Sequence, residues 1–206
     1  GRMNRIAIIN RLENSFETFG VRSSSRGDHD LNPGMVPGTV LREAAVLVPI
    51  VERPEGLTMM LTQRTDHLDH HPGQISFPGG HIEDDDASPE DAALREAKEE
   101  VGLERTHVQI IGRLDQYVTR TGFSITPIVG LVDPSHSVSA DEFEVADIFE
   151  VPLAFLLDAN NHRRDSRIYK GTKREFYAMP FEDYYIWGAT AGMIRNLYDV
   201  LIEEQT

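Results

Sequence analysis

Cysteine is absent from the 206-residue sequence. A disulfide framework, a thiolate zinc site and a cysteine nucleophile are therefore excluded. No apolar run is long enough to span a bilayer, so we expect no membrane partner. The first ten residues lack the apolar segment and the cleavage site of a secretion signal, and we predict a cytoplasmic protein.

Basic residues are scarce. Lysine and arginine together number 20, against 34 aspartates and glutamates, and the formal net charge is −14. A protein of this charge would release few counterions from a nucleic acid, so we expect no nucleic-acid partner. An anionic substrate would need metal ions or a local basic patch. The length and the hydrophobic content of 40% fit a core-forming domain of the α/β or α+β class.

The central segment of the chain predicts a helix between Ser88 and Gly102. Ser88 suits the N-cap, Pro89 suits the first helical position, and Asp91 would complete a capping box. Gly102 favours the left-handed conformation in which helices commonly end.

Three carboxylates, Glu96, Glu99 and Glu100, share one face of this predicted helix. A hard divalent cation would relieve their repulsion, because Mg²⁺ and Mn²⁺ accept several oxygen ligands together. A solvated acidic face is the alternative interpretation of the same spacing. The glycine turn at residues 78–80 would bring bare backbone near the helix, where a glycine carbonyl is a further hard ligand.

Residues 80–103 resemble the Nudix box, in which a glycine is followed at a set spacing by Arg-Glu, two further glutamates and a glycine. Here Gly80 is followed by that run over residues 95–103. Arg95 lies one residue further from Gly80 than the box specifies, and Asp86 stands where its first glutamate is expected.

Residues 61–80 are similar to a second signature, which marks the coenzyme A pyrophosphatase branch of the Nudix hydrolases. The matching positions are Leu61, Thr62, Arg64, Thr65, Leu68, His71, Gly73, Phe77, Pro78, Gly79 and Gly80. Asp69 lies where that branch usually has a basic residue, whereas the longer box with an aspartate is a feature of the branch. The likeness extends over about residues 42–202 and leaves out the N-terminal arm.

The resemblance implies an α/β/α sandwich around a mixed β-sheet, with residues 41–206 as the Nudix domain. Residues 1–40 lie outside the resemblance, and their apolar spacing and composition predict an arm of one helix and a loop. We expect no catalytic or binding residues in the loop at residues 20–39, because Gly, Ser and Pro recur there without periodicity.

The resemblance also implies site residues. Mg²⁺ or Mn²⁺ would be held by Glu96, Glu99, Glu100 and the carbonyl of Gly80, with Arg95 orienting the glutamates. Glu144 is the first candidate for a general base and Glu142 the second, and both are alternatively surface carboxylates. The implied substrate-binding residues are Arg64, His71, Gly73, Phe77 and Gly79.

The implied reaction is metal-dependent hydrolysis of the diphosphate of coenzyme A or a derivative, giving 3′,5′-ADP and 4′-phosphopantetheine. Hydrolysis of another nucleoside diphosphate linked to a group X, such as ADP-ribose or a dinucleotide, stays open because of Asp69. A non-catalytic nucleotide-binding module is a further alternative, although all three helix glutamates are present. The expected partner is a small nucleotide, and a homodimer is left open.

Two further patterns admit two interpretations each. Three imidazoles, His67, His70 and His71, have a spacing that suits zinc, but the following Pro-Gly pair breaks any helix that would aim them together. A predicted hairpin over residues 162–178 is either a solvated edge or a positive wall for an anionic substrate. Its basic residues are Arg163, Arg164, Arg167, Lys170, Lys173 and Arg174.

Overall fold

A computed structural model gives the structure of residues 3–19, 26–38, 41–66 and 73–205, with the backbone alone described for residues 17–19. The helices of this part of the chain are α1 (Arg5–Phe19), α2 (Pro89–Val101), α3 (Leu153–Leu156) and α4 (Gly188–Leu201). The strands are β1 (Arg26–Gly27), β2 (Arg42–Arg53), β3 (Gly56–Arg64), β4 (Ile75–Ser76), β5 (Gly79–His81), β6 (Val108–Arg113), β7 (Tyr117–Val118), β8 (Phe123–Val132), β9 (Val145–Pro152), β10 (Arg163–Tyr169) and β11 (Thr172–Ala178).

Nine of these strands form one mixed sheet within the described residues, and β10 and β11 pair with each other as a hairpin. The central strand is β2, which pairs in parallel with β8 and antiparallel with β3 and β5. Its apolar run at residues 44–51 predicts a strand covered on both faces. All of these residues except Val46 are buried, which confirms that prediction.

The sheet lies between two helical layers. On one face, α2 packs against Ala45, Leu47 and Val51 of β2. On the other face, Val48 and Ile50 of β2 lie in the core that α1 and α4 cover. Successive side chains of a strand point to opposite faces, so this one strand contributes to both cores. The predicted α/β/α sandwich around a mixed sheet is confirmed.

Helix α2 has the predicted bounds, but only half of the predicted capping box forms. Ser88 Oγ accepts a hydrogen bond from the Asp91 amide at 3.1 Å. The Asp91 carboxylate instead pairs with Arg105 at 2.8 Å, because a charge-assisted bond is stronger than a bond to a neutral amide. Gly102 ends the helix with φ 67°.

The part of the arm predicted to be a loop contains regular structure. A short 3₁₀ helix covers Asp28–Leu31, and β1 before it pairs in parallel with β7. Arg26 fixes this segment through ion pairs with Asp115 at 3.0 Å and Asp199 at 2.7 Å. Residues 20–25 and 39 of the predicted loop lie outside the described residues.

No helix in the described part of the chain is both long and apolar enough to cross a membrane. The division of the chain into an arm at residues 1–40 and a domain at residues 41–206 stays a prediction.

Candidate active site

The three helix glutamates lie in different surroundings, although they share one side of α2. Glu100 is 6% exposed and accepts a hydrogen bond from the Gly79 amide at 3.2 Å. Glu96 is half-buried, whereas the side chain of Glu99 is 58% exposed. The glycine turn before α2 therefore binds the one buried carboxylate of the three, that of Glu100.

Gly80 allows the closest approach in the site. It pairs with Ala45 of β2, and a Cβ atom added to it would lie 2.7 Å from the carboxyl carbon of Glu96. Only a residue without a side chain permits this contact between backbone and carboxylate. The predicted meeting of the turn and the helix is thus present at Gly80 and Glu96.

Burial raises the pKa of both Glu100 and Glu96, the former to about 8. The neighbouring charge of Glu144 raises both pKa values further, and the charge of Arg64 opposes the rise at Glu100. Glu144 and Arg64 come from segments far apart in sequence and far from α2. Tertiary structure therefore brings the charge of Glu144 near Glu96 and Glu100, and that of Arg64 near Glu100.

Arg95 binds the acids on the outer side of this group. Its Nη1 donates to Glu96 at 3.1 Å and to Glu99 at 3.4 Å, and its Nη2 donates to the backbone carbonyl of His81 at 3.1 Å. Its Nε and Nη2 donate to the two oxygens of Asp86 at 3.0 and 2.9 Å. This bidentate bond lowers the pKa of Asp86, and the acid partners raise that of Arg95. Asp86, which stands where the Nudix box has its first glutamate, thus pairs with Arg95, the arginine of the box.

The oxygen donors suit a hard divalent cation. Glu100 is buried with a single amide donor, Glu96 lies against the Gly80 backbone, and no nitrogen or sulfur ligand is needed. Among the described residues, no three acidic or histidine side chains already converge as a metal cluster. The guanidinium of Arg95 lies between Glu96 and Glu99 and supplies positive charge there.

A cleft of about 280 Å³ opens beside the glycine turn. Three of the residues predicted to bind substrate line it, Arg64, Phe77 and Gly79, and so does Gly80. Gly73 is described but is not among the lining residues, and its φ of 71° places it in the left-handed conformation of a turn. His71 lies outside the described residues, as does the whole set of three histidines proposed as a zinc alternative.

The two general-base candidates differ in position. Glu144 is half-buried and its backbone carbonyl accepts a hydrogen bond from Thr65 at 3.0 Å, which holds it next to β3. Glu142 is exposed. The charge of Glu144 raises the pKa of both Glu96 and Glu100.

The arm contributes residues that sequence reasoning missed. Asp28, Asn32 and Met35 line the cleft. Asn32 donates to the Glu175 carbonyl at 3.0 Å and accepts from the Glu175 amide at 2.8 Å, which ties the arm to β11. Asp28 accepts from the Arg120 amide at 2.6 Å. No periodicity marks such residues, because their partners are distant in sequence.

Stability should depend on pH through Glu100. Its pKa of about 8 in the folded protein compares with about 4.3 in an unfolded chain. The folded state thus binds this proton more tightly, so in metal-free buffer the free energy of unfolding falls as pH rises from about 4.3 to about 8. The glutamine of Glu100→Gln cannot ionise, so the variant's free energy of unfolding does not fall in this way. As pH rises from about 5 to about 8.5, the variant should therefore become more stable relative to the parent protein by roughly 2–4 kcal/mol.

Urea unfolding of both proteins in a chelator measures this gain, and subtracting the two curves removes the titration of all shared groups. A difference in unfolding free energy that does not change with pH would contradict the burial of an ionisable Glu100.

The fold and the site define an α/β/α-sandwich protein whose glycine turn meets an acidic helix face. The family model described as the NUDIX domain matches residues 41–170. The chain therefore belongs to the Nudix family and is a pyrophosphohydrolase, an enzyme that hydrolyses phosphorus-containing anhydrides.

Two Nudix hydrolases of 44% sequence identity agree with this assignment. The chain is 44% identical over 156 residues to the uncharacterized Nudix hydrolase NudL of Escherichia coli (strain K12), covering 76% of this chain and 81% of that protein. NudL of Escherichia coli O1:K1 / APEC gives the same identity and coverage. Among solved structures, a C. elegans Ap4A hydrolase binary complex aligns with a TM-score of 0.46 and 20% identity, covering 55% of this chain and 82% of that one.

Proposed function

We propose that this enzyme hydrolyses the diphosphate of coenzyme A or of a derivative, releasing 3′,5′-ADP and 4′-phosphopantetheine. The observation that carries the proposal is the position of Arg64 and Phe77. Both belong to the signature at residues 61–80, and both line the cleft that also contains Gly80, the first residue of the Nudix box. The two sequence motifs therefore meet at one site, and Arg64 lies close enough to Glu100 to oppose the rise of its pKa.

The site chemistry supports cleavage of a phosphoanhydride. We assign Glu96, Glu99, Glu100 and the carbonyl of Gly80 as the groups that would hold Mg²⁺ or Mn²⁺. When bound, such an ion neutralises phosphate oxygens and lowers the pKa of a coordinated water. Arg95 orients Glu96 and Glu99 through its hydrogen bonds at 3.1 and 3.4 Å.

The chain's own residues supply the remaining steps. Arg64 would bind a diphosphate oxygen, since its Nε is buried and has no hydrogen-bond partner in the described structure. Glu144 would accept a proton from the attacking water, because it lies beside the glutamates and is not engaged in any described ion pair. Phe77, 4% exposed, would form an apolar part of the wall.

A substrate panel tests the proposal. Coenzyme A, ADP-ribose, NADH and a deoxynucleoside triphosphate are incubated with Mg²⁺ or Mn²⁺, and products are identified by mass. We expect coenzyme A to be preferred by about 10-fold or more in kcat/KM, with 3′,5′-ADP released. The reason is that the signature at residues 61–80, which includes Arg64, resembles that of the coenzyme A pyrophosphatases.

The other outcomes separate the alternatives. Higher activity on ADP-ribose would show that the substrate is another nucleoside diphosphate linked to a group X. Asp69, which keeps that alternative open, would then be the residue to mutate. Absence of turnover on every substrate with both metals would favour a nucleotide-binding module without catalysis.

A further inference from the structure

Hairpin β10–β11 contributes a second charged region to the cleft. Of its six basic residues, two line the cleft, Arg167 and Arg174. They are direct cross-strand partners, so their side chains leave the same face of the hairpin. Tyr169 and Phe176, two residues along each strand, share that face and also line the cleft.

The other basic residues of the hairpin are engaged or exposed. Arg163 pairs with Asp165 at 3.1 Å, and Arg164 pairs with Glu175 at 3.5 Å. The two lysines are exposed and do not line the cleft. Of the two interpretations open from the sequence, a solvated edge describes four of the basic residues, and a positive wall is limited to two guanidinium groups.

These two groups have no described counter-charge. Within the described residues neither Arg167 nor Arg174 forms an ion pair, and the Nε of Arg174 is buried without a hydrogen-bond partner. Like charges placed directly opposite on a hairpin repel each other. A buried N–H without an acceptor also costs free energy. Both costs would be relieved by an anion bound between the side chains.

Aromatic packing holds Arg167 in place without using its hydrogen-bond donors. Its guanidinium carbon lies 4.3 Å from the centre of the Trp187 ring, and Phe176 packs on the same ring at 4.9 Å between centroids. Stacking occupies the face of a guanidinium and leaves its N–H edge available to a ligand.

We propose that Arg167 and Arg174 form a subsite for a phosphomonoester that the substrate carries apart from its scissile diphosphate. A dianionic phosphate matches two opposed guanidiniums in charge and in hydrogen-bonding geometry. The inference rests on the proposed function and deepens it. Coenzyme A has such a group in its 3′-phosphate, and 3′-dephospho-coenzyme A lacks it.

Steady-state kinetics with these two substrates test the subsite. We expect the unmodified enzyme to favour coenzyme A. Arg174→Gln and Arg167→Gln should each lower kcat/KM for coenzyme A by about 10- to 100-fold while changing that for the dephospho compound by less than about 3-fold. Arg174→Lys, which keeps the charge, should restore part of the preference.

Lys173→Gln is the matched control. It removes one positive charge from the same strand, next to Arg174, but its side chain is exposed and outside the cleft. Both substrates should be turned over as by the unmodified enzyme. Equal losses on both substrates in the two arginine variants, or the same loss of preference in Lys173→Gln, would overturn the subsite.

A binding measurement separates this proposal from the proposed function. If the unmodified enzyme does not hydrolyse coenzyme A, the proposed function fails, and calorimetric binding of 3′,5′-ADP and 5′-AMP tests the subsite alone. We expect about 10-fold tighter binding of 3′,5′-ADP, lost in Arg174→Gln. Equal affinity for the two nucleotides in the unmodified enzyme would refute the subsite.

Discussion

Replacing Glu100 by glutamine is expected to lower kcat by about 10²- to 10⁴-fold while the fold is retained. The glutamine amide oxygen can still accept the bond that the Gly79 amide now donates at 3.2 Å. What is lost is the negative charge at a buried position, where a hard cation would interact with it most strongly. Glu99→Gln should likewise lower turnover by orders of magnitude, since Glu99 belongs to the same assigned ligand set.

Circular dichroism and thermal unfolding establish that each variant is folded, and initial rates with saturating Mg²⁺ or Mn²⁺ measure turnover. Glu104→Gln is the control, because Glu104 is exposed just beyond α2 and pairs only with Lys98 at 3.5 Å among the described residues. Rates close to those of the parent protein in Glu99→Gln or Glu100→Gln would refute the metal assignment.

Alanine at Gly79 and alanine at Gly80 are expected to fail in different ways. At Gly79 the added Cβ would lie 2.5 Å from the Ala45 carbonyl oxygen and 2.7 Å from Val46 Cα, which belong to the central strand. Backbone at the centre of a sheet cannot yield easily, so the free energy of unfolding should fall by about 3 kcal/mol.

At Gly80 the added Cβ would meet the Glu96 carboxylate, the far end of a flexible side chain. Glu96 can rotate away, so stability should change little. Displacing this carboxylate by about 1 Å should nonetheless cost on the order of 10²-fold in kcat.

Urea unfolding and initial rates are measured on both variants, with Gly112→Ala as the control. A Cβ at Gly112 would make only ordinary contacts with Leu12, at 3.6 Å. The distinction between the two positions would be wrong if Gly80→Ala lost as much stability as Gly79→Ala, or if it retained full activity.

The contrast between Glu99 and Glu100 shows that a sequence pattern does not determine the burial of a side chain. Helical periodicity places both on one side of α2, and nothing in that pattern distinguishes their surroundings. The difference arises because the glycine turn covers Glu100 and its amide binds that carboxylate, whereas Glu99 projects toward solvent. The turn was predicted from residues 78–80, but its contact distance to each glutamate depends on how β5 pairs with β2.

The basic hairpin gives a second example. Its strands and its charge were predictable, because alternating residues and a glycine turn are local features. The sequence leaves open whether the hairpin is a solvated edge or a positive wall, since cross-strand register and ion pairs decide which side chains face the cleft. Of the basic residues of the hairpin, only Arg167 and Arg174 line the cleft.

The sequence by itself determined the bounds of α2, the buried central strand, the glycine turn, the family and the acids that the box names. These features depend on residues close together in the chain, whose spacing sets helix caps, strand burial and turn conformation. Tertiary structure alone decided the burial of Glu100, the approach of Glu144 and Arg64 to it, and the place of the arm in the cleft wall. Each of these depends on desolvation or on a bond between distant segments, which no local pattern encodes.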